Sequence, residues 1–169
     1  PIHDLIAFNA ADPADRLILR AIDTPEVQRL RRIKQLGMAH MAYQGAEHSR
    51  FSHSIGVLHL LRRMLDRLAK QSPKPVDELT LLALQVAGLV HDLGHGPFSH
   101  VIEKFFEEHH EVWSRRILLS PETEINRVLR AYSQELPRRV AELLSGEGEP
   151  VSYTHLRAHE TKANLVCRL

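Results

Sequence analysis

Asp77-Glu78-Leu79-Thr80-Leu81-Leu82-Ala83-Leu84-Gln85-Val86-Ala87-Gly88-Leu89-Val90-His91-Asp92-Leu93-Gly94-His95-Gly96-Pro97-Phe98-Ser99-His100 is the stretch that decides the fold. From Leu79 to Val90 it is apolar nearly all round. That run is longer than a usual strand and well short of the ~20 residues that cross a bilayer, so it predicts a buried central helix with Asp77 as its N-cap. An aspartate placed directly after such a helix is costly to bury unless a cation or several donors meet it. His91 beside Asp92 adds an imidazole nitrogen to the carboxylate oxygen, a pairing that suits a divalent metal. Gly94, Gly96 and Pro97 also suit an ordinary solvent-exposed turn, and a lone histidine is commonly a hydrogen-bonded core group, so spacing alone leaves both readings open.

Helical spacing dominates on either side. Thr24 as cap, Pro25 at the first position and Glu26 in the first turn predict a helix over 24–33 with Val27, Leu30 and Ile33 on one face and Gly37 as its stop. A second helix is expected from about Ser52 to Leu68, burying Ile55, Leu58, Leu61, Leu65 and Leu68. After Ser72-Pro73-Lys74-Pro75 comes the central helix, at about 77–92. Val101, Ile102, Phe105 and Phe106 mark a short helix, and Trp113, Ile117 and Leu118 another. Pro121 and Pro137 stand where two more would begin, burying Ile125, Val128, Leu129 and Val140, Leu143, Leu144. No alternating strand is evident, apart from a short extended piece near Leu17 to Leu19. The fold class is therefore all-α, a helical bundle around the central helix.

Composition bounds the function. A chain of 169 residues suits one domain burying about 70% of its unfolded surface. With 22 basic and 21 acidic residues, no global field points to nucleic acid or an anionic membrane. The local basic run Arg29, Arg31, Arg32 and Lys34 reads first as solvated surface. One cysteine, Cys167, precludes a disulfide within the chain and fits a reducing compartment. No apolar run or signal layout directs the chain to a membrane, so a soluble, cytoplasmic protein is expected. A start at Pro1 points to processing or truncation upstream. The tail 151–169 has no apolar stripe and reads as lying outside the core, either a non-core terminus or non-native read-through around His155-Leu156-Arg157-Ala158-His159. The domain is expected to span 1–150.

Eight of the twelve histidines fall between His48 and His110. If the helices carrying His53 and His91 pack together, His53, His91 and Asp92 could supply three ligands and leave positions open for water and substrate, as a catalytic metal requires.

The string His91-Asp92-Leu93-Gly94-His95-Gly96-Pro97-Phe98-Ser99-His100 resembles the signature of the HD-domain phosphohydrolases, in particular the deoxynucleoside triphosphate triphosphohydrolase (dGTPase-like) branch. Two further stretches resemble that branch in order: Thr24 to Gly37, and Gly45 to Val57, the latter including Glu47-His48-Ser49-Arg50-Phe51-Ser52-His53. The resemblance implies His53, His91 and Asp92 as ligands of a divalent ion (Mn, Fe, Zn or Mg). It implies Arg50 at the substrate phosphates and Gln35 and Leu36 at the sugar and base. It places His95, His100, His110 and Glu111 around the phosphates, some in proton transfer. The implied reaction releases a nucleoside and inorganic triphosphate, and the family's members are often oligomers, so a homo-oligomer is possible; the balanced charge and the lack of a long apolar run make nucleic acid and membrane unexpected as partners. The family's fourth ligand, a downstream aspartate, has no counterpart, because no aspartate follows Asp92. Glu122, Glu124, Glu135 or Glu142 could substitute, or the domain is truncated on its C-terminal side, in which case this chain alone is expected to be inactive. Two other classes stay open: an HD-type nucleotidase or cyclic-nucleotide phosphodiesterase, and a non-catalytic nucleotide- or nucleic-acid-binding module.

Overall fold

The structure, a computed structural model, describes residues 5–71, 76–98 and 108–146. The expected helix at Val101 to Phe106, the candidate His100 and the tail 151–169 lie outside these residues. The described chain is all-helical: α1 (Pro13–Asp23), α2 (Pro25–Gln28), two 3-10 helices (Arg29–Arg32 and Gly37–Met41), α3 (Arg50–Gln71), α4 (Glu78–Val90), α5 (His110–Leu119), α6 (Glu124–Tyr132) and α7 (Leu136–Ser145). No strand occurs among the described residues; Lys34 and Ser49 form an isolated antiparallel bridge.

Helix α4 is the axis. Asp77 caps it, its carboxylate accepting from Thr80 N at 3.1 Å. Leu82, Ala83, Val86, Ala87, Leu89 and Val90 are buried, and α4 packs on α3, α7 and α1. At Gly88 an added Cβ would stand 2.8 Å from Leu61 Cδ2, so the missing side chain is what lets α3 lie close to α4. Helix α3 buries Leu58, Leu61 and Leu65 as its spacing predicts, but Leu68, one turn later and near the helix end, is 50% exposed. On α5 the inward positions are Ser114 and Leu118, and Trp113 faces outward.

The first helix departs from the extended piece expected near Leu17 to Leu19. Asp12 accepts from Ala14 N at 3.0 Å, Pro13 opens the helix, and Leu17, Ile18, Ala21 and Ile22 form the buried stripe. Thr24 does not cap the next helix; its hydroxyl donates back to Ala21 O at 2.7 Å. Pro25 holds Thr24 extended (ψ 144°), which separates α1 from α2. The single helix expected over 24–33 breaks into α2 and a 3-10 turn, because Ile33 goes extended and its carbonyl accepts from Arg50 N at 2.8 Å. Pro121 lies in a turn; α6 starts three residues later, with Thr123 as N-cap. Glu26 of α2 reaches across to α6 and accepts from Glu124 N at 2.8 Å and Ile125 N at 3.3 Å.

Candidate metal centre

Two helix ends build the site. Helix α3 begins at Arg50, so Arg50 and His53 share its first turn, and α4 ends at Val90, so His91 and Asp92 occupy the turn that leaves it. Packing of α3 on α4 brings the two together. His53 Nε2 and His91 Nε2 are 3.2 Å apart, their rings edge to face with centroids 5.1 Å apart. Asp92 Oδ1 lies 3.4 Å from His91 Nε2. Ligand atoms of His53, His91 and Asp92 all fall within 4.8 Å of one another.

These spacings fit a cation. Metal–nitrogen and metal–oxygen bonds of about 2.0–2.2 Å put neighbouring donors about 3.0–3.5 Å apart. The His91 tautomer fits as well: its Nδ1–H donates to Gly88 O at 2.9 Å, which leaves the Nε2 lone pair facing His53 and Asp92.

Charge around the site keeps the donors in the form a metal needs. Burial would raise the Asp92 carboxyl, but His91, Arg50, His95 and His53 around it outweigh burial and hold it at about 2. Burial lowers His53 to about 4; Asp92 opposes this, while His91, Arg50 and His48 reinforce it. Arg50, only 2% exposed, donates from Nη1 to Asp92 Oδ2 at 2.7 Å and from Nη2 to Gln35 O at 3.4 Å. Gln35 is held in turn by its N–H to His48 O at 3.1 Å, and its Oε1 is buried with no hydrogen-bond partner among the described residues. Leu36 beside it is 37% exposed. Gly37 has φ +52°, and a Cβ there would meet Phe98 O at 3.3 Å, so the segment carrying Gln35 and Leu36 abuts the one that follows His95. Phe98 is itself in the left-handed region at φ 64°.

His95 lies on the other side of Asp92, its Nε2 3.5 Å from Oδ1. Its ring stacks on His110 of α5 with centroids 3.8 Å apart and planes 14° from parallel. Asp92, His95 and His110 form a second group of close donor atoms. Glu111, next to His110, is exposed in the first turn of α5 and belongs to neither group. Nor do the four glutamates considered as a fourth ligand; Glu135 and Glu142 instead pair with Arg139 and Arg138 along α7.

Sequence reading missed Ser114 and took Arg29 for solvated surface. Ser114 Oγ accepts from Gly94 N at 2.8 Å and donates to His91 O at 3.4 Å. The basic run is not one free face: Arg31 donates to Gln28 Oε1 at 2.6 Å and covers the Phe51 ring, Lys34 donates to Glu47 O at 2.9 Å, and Arg29 turns inward. No helix of the described residues is long and apolar enough to cross a membrane.

A family model described as "HD domain" matches residues 50–165. The Bacillus subtilis (strain 168) protein YwfO is 51% identical over 145 residues, which is 86% of this chain and 32% of that protein. Deoxynucleoside triphosphate triphosphohydrolase SAMHD1 of Bos taurus is 47% identical over 107 residues, 63% of this chain and 17% of that protein. The Homo sapiens SAMHD1 is 45% identical over the same share, 16% of its own length. The chain thus spans about a third of the first relative's length and about a sixth of the others'.

Proposed function

The chain belongs to the HD-domain family, and from that premise we propose that it is the metal-binding part of a phosphohydrolase that cleaves deoxynucleoside triphosphates into nucleoside and inorganic triphosphate. The observation that carries this reading is the convergence of His53, His91 and Asp92 on one centre, with the His91 tautomer set by Gly88. The SAMHD1 relatives, named as deoxynucleoside triphosphate triphosphohydrolases, supply the substrate class.

His53, His91 and Asp92 would hold the divalent ion, which when bound would supply Lewis acidity to a phosphoryl oxygen and lower the pKa of water beside it. Arg50 adds a permanent planar cation for phosphate oxygens, a group worth about 3 kcal/mol of barrier when well placed. Gln35, with its unsatisfied Oε1, and the exposed Leu36 form the lip that receives sugar and base. His95 and His110, stacked beside Asp92, hold and pass the proton that the leaving alcohol needs.

The test is a metal titration paired with a product assay on the wild type and His91→Ala. Wild type binds Mn²⁺ and releases triphosphate; loss of one ligand weakens binding by about 100-fold or more. Monophosphate as product would assign the site to a nucleotidase. Undiminished metal binding by His91→Ala would overturn the ligand assignment.

A further inference from the structure

We propose that Arg29 is a positioning residue for His95, acting through the backbone of the turn that leaves α4. The last carbonyls of a helix lack intrahelical partners and must find others. Val90 O accepts from Leu93 N at 3.0 Å and Asp92 O from His95 N at 3.1 Å. His91 O takes the Ser114 hydroxyl at 3.4 Å. Two further carbonyls of the turn, Leu93 O and His95 O, both accept from Arg29, through Nη2 and, at 3.0 Å, Nη1.

One rigid fork therefore fixes two carbonyls two residues apart, from a segment more than sixty residues earlier in the chain. A guanidinium does this with a preset geometry, and a flexible ammonium does not. Its charge also sits at the negative end of α4. Fixing Leu93 O and His95 O fixes the peptide planes that aim the His95 ring between Asp92 Oδ1 and the face of His110. Among the described residues Arg29 bonds the backbone oxygens of Leu93 and His95 and no side-chain atom of His53, His91 or Asp92, so its effect is expected on His95 and not on the cation donors. This assignment rests on the proposed role of His95 in proton transfer.

The experiment is NMR of the whole chain with labelled histidine, the His95 ring signal being identified by its loss in His95→Gln. Stacking on His110 displaces that signal. In Arg29→Ala the displacement collapses, in Arg29→Lys it is intermediate, and in Arg32→Ala, a basic neighbour in the same shallow surface depression, it stays at the wild-type value. Zn²⁺ affinity changes by no more than about 3-fold, while kcat for triphosphate release falls about 100-fold with KM nearly unchanged, as expected for a misplaced catalytic group. A wild-type His95 signal in folded Arg29→Ala overturns the proposal. If that variant does not fold, a wild-type signal and kcat in Arg29→Lys overturn it instead. If the wild-type chain releases no triphosphate, as the missing fourth ligand would produce, while its His95 signal responds to Arg29→Ala, the positioning stands on the NMR result alone.

Discussion

At the residue scale, burial and charge compete within a few ångströms. His53 is a base whose folded value is lowered from 6.5 to about 4. Between those values the unfolded chain takes up a proton that the folded chain refuses, so stability of the metal-free protein is full above about 6.5 and falls as pH drops toward 4. Allowing for partial exposure, the loss is on the order of 2 kcal/mol. Urea midpoints in EDTA between pH 7 and 4 measure it, and His53→Gln should flatten that part of the slope; an equal slope in both proteins contradicts it. Gly94 answers to a different constraint. A Cβ there would stand 1.9 Å from His110 O and 2.6 Å from Ser114 N, both backbone atoms that cannot swing aside. Gly94→Ala should therefore cost about 3 kcal/mol. Gly88→Ala, which meets only the movable end of Leu61, should cost about 1 kcal/mol.

At the scale of elements, α4 carries the packing. Leu89 is fully buried, so Leu89→Ala should destabilise by about 3 kcal/mol, whereas Leu68→Ala at the exposed end of α3 should change stability by less than about 0.5 kcal/mol. Thermal or chemical unfolding of the pair checks both. Elements built on a long apolar period were legible in the sequence: α4 with its Asp77 cap, and the Leu58-Leu61-Leu65 face of α3. The convergence of His53 on His91-Asp92 followed from the packing of those two helices. Helix α1 was misread because Leu17-Ile18-Leu19 is a short run of strand-like residues, although Asp12-Pro13 was a start signal. The break after α2 was not legible, since it depends on a backbone bond from Arg50 to Ile33 that no local pattern announces. Arg29 was hidden for the same reason: beside Arg31 and Arg32 it looks like surface, and only the distant carbonyls of Leu93 and His95 turn it inward.

For the whole molecule, a cation that binds only the folded form adds to its stability by mass action. At about 100 times its dissociation constant the gain is about 2.7 kcal/mol. In a chain of this size that raises Tm by about 5–10 °C. Thermal scans with Mn²⁺ and with EDTA read the difference, and identical curves would count against a site on the native fold. The tie between Glu26 and the start of α6 spans almost a hundred positions. An emerging polypeptide has therefore delivered His53, His91 and Asp92 before that tie can close, and late, distant closures of this kind slow folding. The α3–α4 pair that carries the three donors can thus pack while the outer shell is still unlatched.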